Sequence, residues 1–338
     1  MNPELRRLLW LEAAPARLVL VPAVLFLLLA AATLADGRDG GAEAAFWAAA
    51  ALGVVWGTRL AAQSLLAEIA ANTWDGQRAG ALSAWQMTLG KLAGSTAIAW
   101  DGVALCAIGA AVLAPAATRL EEWRELLLLA LLAQAASLFA ALLLAAADRR
   151  GRVIDGFAAQ LAGIGAGFLG QGVVALVFEE AATFWGTAVA PWMAPAVLAV
   201  LAALAVGLAW WRMGEALQTY AGFWVWPLFL LVVVLIAGGH AYGSVPWSAA
   251  AFTWLLPIGW LALLIDPKQP VALRAWIRRP TRHDAPSWLV AFAVLVVLAG
   301  AFVTGRFDPD LPHPLDIRPD WMEWWDWRGA ARPAPPPL

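Results

Sequence analysis

Apolar runs of about 20 residues, the length needed to cross the hydrocarbon of a bilayer, recur along this chain and constrain its fold more than any other feature. They read as spans over Leu18 to Leu34, Ala44 to Leu66, Leu92 to Leu113, Leu126 to Ala147, Phe157 to Phe178, Met193 to Trp210, Phe223 to Gly239, Trp247 to Ile265 and Trp288 to Val303. With 62% of 338 residues hydrophobic and 14% charged, nothing is left over for a soluble domain. In lipid every backbone polar group must be paired within the protein, and runs of this length do that as helices. The expected fold class is all-α: a polytopic helical membrane protein of about nine transmembrane helices with its N-terminus cytoplasmic.

That orientation follows from Lys and Arg. With the N-terminus inside, the cytoplasmic side receives Arg6, Arg7, Arg17, Arg78, Lys91, Arg149, Arg150, Arg152, Arg212, Lys268, Arg274, Arg278, Arg279 and Arg282, twice as many as the seven on the other side. The first run imitates a secretory signal, with Arg6 and Arg7 before it and Ala-Thr-Leu-Ala near its end. Its core is longer than a usual signal, and Leu8-Leu9-Trp10-Leu11 suits an interfacial elbow helix, so it is read as a span.

The longest polar interruption in the first half runs from Glu68 to Lys91. Spans flank it, and Trp74 and Trp85 should hold it at one membrane face as a loop or short helix. An acidic residue leaving a helix, Thr73-Trp74-Asp75, then Leu82-Ser83, Trp85-Gln86 and Gly90-Lys91-Leu92, resembles the cytoplasmic coupling segment of permease subunits of ABC-type exporters of the type-2 superfamily. The resemblance implies a six-helix permease core, a dimer with itself or a second permease, and a separate cytoplasmic ATP-binding subunit docking on Glu68, Thr73, Trp74, Asp75, Trp85, Gln86 and Lys91. It further implies a short external helix between the fifth and sixth spans, in Phe178 to Trp192; a plain loop is the competing reading. An ordinary amphipathic loop likewise competes for Glu68 to Lys91.

The domains expected are an elbow helix over 1–17, a permease-like core over 18–212 with its coupling segment at 67–91, three further spans over 213–304 and a Trp- and Pro-rich extracytoplasmic tail over 305–338. The added spans depart from the six-helix pattern. They carry a basic segment, Pro267 to His283, suited to anionic lipid headgroups. They also keep open a second reading, a non-transporting scaffold or accessory subunit of a larger membrane complex.

Few residues could carry chemistry. The only Gly-Lys, Gly90-Lys91, lacks the glycine and hydroxyl of a phosphate-binding loop, so ATP hydrolysis would belong to a partner chain and no enzyme activity is expected. Three histidines and one cysteine, Cys106, are scattered, His240 lies alone near the end of its span, and neither a metal, a cofactor nor a nucleic acid partner is expected. Within the spans, Arg59 and Asp101 count to similar depth and are read as an intramembrane ion pair bracing the second and third helices. A snorkelling Arg59 and a cavity-capping Asp101 are the plainer alternative. Gly163 and Gly167 form a small-xxx-small face for close helix packing in the fifth span.

Overall fold

The computed structural model describes residues 2–80, 82–114, 120–147, 153–175, 178, 183–219 and 225–241, with single helical residues at 277, 293, 296 and 297. Apart from those four single residues, the expected eighth and ninth spans, the basic segment Pro267 to His283 and the Trp-rich tail lie outside the described residues. What is described is helical apart from one small hairpin. In order come α1 (Pro3–Glu12), α2 (Pro15–Ala50), a π-helical segment π1 (Ala51–Trp56), α3 (Gly57–Ala70), α4 (Trp74–Arg78), α5 (Ala84–Leu89), a second π segment π2 (Gly90–Gly94), α6 (Ala97–Leu113), α7 (Leu120–Ala147), α8 (Val153–Val174), β1 (Thr183–Phe184), β2 (Thr187–Ala188), α9 (Met193–Ala216) and α10 (Val225–Ala241).

Among the described residues four helices are long and apolar enough to cross a membrane, or five if the bent pair Ala84–Gly94 and Ala97–Leu113, meeting at 47°, forms one span. The longest of the four, Pro15–Ala70, is not one rod. Gly37 interrupts it with φ 76° and ψ −171°, a backbone open to glycine and strained for other residues. Val21 and Leu52 then both approach Gly102, their side-chain carbons 3.6 and 2.7 Å from where a Cβ on that glycine would stand. On a straight helix those two residues would be ~46 Å apart. The chain therefore doubles back at Gly37, and two antiparallel arms occupy the places expected of the first and second spans.

The second arm packs against α7 in parallel, since Phe46 meets Trp123 edge to face at 5.5 Å and Gly53 faces Ala130. Next to it α8 runs antiparallel to α7, with Gly163 against Ala133 and Ser137 and Gly170 against Leu132. Two apolar clusters result. One joins Leu25, Ala45, Ala49, Val103, Cys106 and Leu126; the other joins Leu65 and Leu66 of α3, Met87, Leu138 and Leu142 of α7, and Met213 of α9.

A polar layer lies between these clusters, at the level of π1. The Gln134 amide of α7 donates to the Gly53 carbonyl at 2.8 Å and accepts from Trp100 Nε1 at 3.1 Å, Gln160 of α8 donates to the Val55 carbonyl at 2.9 Å, and Ser137 donates to the Thr58 carbonyl at 2.8 Å. The layer coincides with the π turn, where bonding changes from i+4 to i+5 and shifts the carbonyls of the turn toward side chains of α7 and α8.

The segment between α8 and α9 differs from the expected short helix. Its described residues 183–188 form a two-stranded antiparallel hairpin with Trp185 and Gly186 at φ 51° and 70°. Two positive φ values in sequence give the tight turn whose twist matches that of paired strands. Trp185 then donates its backbone N–H to the Gly239 carbonyl at 3.0 Å and its indole N–H to the Leu235 carbonyl at 3.2 Å. The hairpin thus docks on the C-terminal part of α10 through the Leu235 and Gly239 carbonyls.

Candidate functional site: a charged junction at one end of the bundle

The polar stretch between α3 and α6 is built by a sequence of helix signals. At the end of α3, Asn72 takes the left-handed conformation (φ 56°), the Thr73 N–H bonds to the Glu68 carbonyl at 2.9 Å and the Asn72 N–H to the Ile69 carbonyl at 3.1 Å. This pair of reversed bonds is how helices commonly stop. Ser83 and Gln86 start α5 with a reciprocal capping box, the Gln86 N–H donating to Ser83 Oγ at 3.2 Å and the Ser83 N–H to Gln86 Oε1 at 3.1 Å. Thr73 and Gln86 are accordingly occupied in shaping the segment.

Glu68 and Lys91, which bracket the stretch, meet. Lys91 is fully buried and its ammonium is ion-paired with Glu68, lies 3.5 Å from the Glu4 carboxylate, donates to the Ser64 carbonyl at 3.0 Å and sits 5.5 Å from the centre of the Trp74 ring. Arg7 closes the group, 2.8 Å from Glu4 and paired with Glu68. Two cations and two carboxylates therefore alternate around a buried centre with no net charge, the arrangement that makes burial of an ammonium tolerable.

The elbow helix is held here. Asn2 caps α1 by accepting from the Glu4 N–H at 3.0 Å, and its amide donates to the Gln86 carbonyl at 2.6 Å. Beneath it, a Cβ on Gly90 would stand 2.5 Å from Glu4 Cγ and one on Gly94 2.7 Å from Leu8 Cβ, so small residues on π2 let α1 lie directly on the backbone. Burial raises the Glu4 pKa, but the hydrogen bonds from Arg7 and the charge of Lys91 outweigh it and hold the carboxyl below its ordinary range. The same partner pushes the Arg7 guanidinium up.

Of the seven residues expected to contact a partner, five face inward or shape the segment and two remain outward. Asp75 is 90% exposed, with Arg78 3.4 Å away on α4. Trp85 is 47% exposed and meets Trp210 of α9 edge to face at 6.2 Å. These two flank the exposed tip of the stretch.

Arg59 and Asp101 are not brought together. Both are exposed on the described bundle and no ion pair joins them among the described residues. The depth count misplaced them because it started both helices at one surface. In the structure Gly53 faces Val103 and Gly41 faces Leu113, so Asp101 lies level with the π1 region and Arg59 lies about 6–9 Å nearer the junction. Gly163 lies against α7, a Cβ there falling 2.5 Å from the Ala133 carbonyl oxygen and 2.6 Å from Ser137 Cβ, and a Cβ on Gly167 would stand 3.4 Å from Ala133 Cβ. Among the described residues no group of three or more His, Cys, Asp or Glu could hold a metal ion. Cys106 is buried and free; nothing is described of the His240 side chain.

Two features escape the sequence reading: the part played by Asn2, Glu4 and Arg7 in the junction, and the polar layer at π1. The first had a signal in Asn2-Pro3-Glu4, a cap followed by a favoured first helical residue. The second had one in Gln134 and Ser137, isolated polar residues three apart inside an apolar run. Comparison with protein-family models, with curated proteins and with solved structures gives no match to this chain.

Proposed function

We propose that this chain is the membrane-spanning permease subunit of an ATP-driven exporter, working with a cytoplasmic ATP-binding subunit and paired with itself or a second permease. In this reading the chain crosses a bacterial inner membrane about nine times with its N-terminus inside. The single observation that supports it is the junction. Helix α3 and the π2 segment that leads into α6, belonging to neighbouring spans, are tied through Glu68 and Lys91 to the elbow helix, while the intervening tip presents Asp75 and Trp85 outward. A push on that tip would reach two spans and the elbow together, as coupling of ATP-driven domain closure to a change in the membrane helices requires.

The experiment is to express the chain with the products of neighbouring genes, extract in mild detergent and ask what stays bound. Recovery of an ATP-binding subunit, reduced at least about tenfold by Asp75→Ala with Trp85→Ala, is the expected result, as outward residues at the centre of a contact carry most of its energy. Recovery of other membrane subunits without any ATPase would overturn the reading and favour a scaffold.

A further inference from the structure

The two apolar clusters, the polar layer between them and the charged junction are connected along one helix. The second arm passes through the first cluster, changes to π over Ala51–Trp56, resumes as α3 and carries Glu68 to Lys91. In a π segment the hydrogen bonds run i to i+5, so the turn holds about one residue more than an α turn. Downstream side chains consequently lie about 100° behind where a continuous α-helix would put them. The observed π form leaves Ala67 exposed, Leu66 buried and Glu68 on Lys91.

We propose that π1 is a register switch for α3, held in its π state by Gln134, Gln160 and Ser137. These side chains come from two other helices and donate to three carbonyls in or beside the π turn, while Thr58 Oγ1 donates to Val54 and Val55. Gly57 is part of the fit, since a Cβ at that position would overlap the Gln134 amide. When the donors let go, π1 reverts to α and each residue of α3 takes the azimuth of its successor. Leu66 then turns outward to the place of Ala67, Ala67 turns inward, and Glu68 swings toward the place of Ile69, leaving Lys91 and Arg7. Opening the layer in mid-helix thereby unlocks the elbow at the helix end. The first cluster, upstream of the π turn, keeps its packing, while in the second Leu65 takes the place of Leu66 and Leu66 leaves the core.

The test uses the full chain in lipid nanodiscs with Cys106→Ala and single cysteines at Leu66→Cys or Ala67→Cys, labelled with a membrane-impermeant thiol reagent. Without further change the Ala67 position labels faster. Gln134→Leu, close in volume but unable to donate, is expected to invert the preference, raising the ratio of Leu66 to Ala67 labelling rates by at least about tenfold. A folded, monodisperse Gln134→Leu protein with the original ratio overturns the switch. Should Gln134→Leu not fold, Gln160→Leu at the rim of the layer decides by the same ratio: a shift toward Leu66 supports the switch and no shift overturns it. No ATPase is present, so this outcome is separate from that of the permease reading.

Discussion

Lys91 and Glu4 stand 3.5 Å apart, charge to charge, with 0% and 3% of their side chains exposed. A buried ammonium without its carboxylates is costly, and removing one partner of a buried pair is worth about 3–5 kcal/mol. Lys91→Met should therefore lower the melting temperature in detergent markedly, because Glu4 and Glu68 are left facing one another with only Arg7. Lys91→Met combined with Glu4→Gln should recover part of that loss. If the double variant is no more stable than the single one, the two residues do not act as a pair.

Glu4 also sets an acid limit on elbow docking. Its carboxyl pKa is lowered in the folded protein, against burial, by Arg7 and Lys91. A lowered folded pKa means that the stabilisation is present in full above the unfolded value and disappears as pH falls through the folded one. Protection of the elbow from protease should be level from neutrality to about pH 5 and decline below about pH 4, since unperturbed Glu titrates near 4.3. Glu4→Gln should be less protected at neutral pH and lose the part of the acid step that Glu4 contributes.

Two glycines on α8 should respond in opposite ways. At Gly163 an added methyl meets backbone and Ser137 within 2.6 Å, whereas at Gly165 it meets nothing within 4 Å. Gly163→Ala is expected to cost roughly 1–3 kcal/mol through forced separation of α7 and α8. Gly165→Ala should be neutral or stabilising by up to about 1 kcal/mol, as alanine restricts the unfolded chain and favours the helix. Thermal unfolding of the two variants side by side checks both.

Arg59 and Asp101 give a prediction opposite to that of a brace. With no ion pair between them, Arg59→Gln and Asp101→Asn should add in a double-mutant cycle to within about 0.5 kcal/mol. A coupling well above that would place them in contact.

Much of the helical architecture is legible in the sequence because apolar run length is a one-dimensional property. The first two apolar arms are separable on that ground although the helical stretch from Pro15 to Ala70 is turned back by a single residue, Gly37. Registers are less legible. The Arg59 and Asp101 pairing is not found because depth along a helix depends on where the count begins, and Leu66 and Leu92, the span ends on either side of the polar stretch, lie at different levels. The polar stretch between α3 and α6 is legible, but which of its residues face outward is not: a polar residue such as Gln86 or Lys91 reads the same whether it caps a helix, neutralises a buried carboxylate or waits for a partner. The hairpin at Thr183–Ala188 was missed because strands of two residues carry almost no periodic signal.

The four charges of the junction come from positions 4, 7, 68 and 91. During synthesis the elbow helix is made first, yet its ionic partners on α3 and π2 appear only after two long apolar arms have been produced. Until then Glu4 and Arg7 can satisfy only each other, and α1 has no glycine surface on which to lie. Closure of the cluster is thus a late, long-range event that reports whether the first hairpin and the beginning of α6 have reached their proper places. A chain arrested or misinserted before Lys91 would keep α1 undocked, without its ionic partners or its glycine surface.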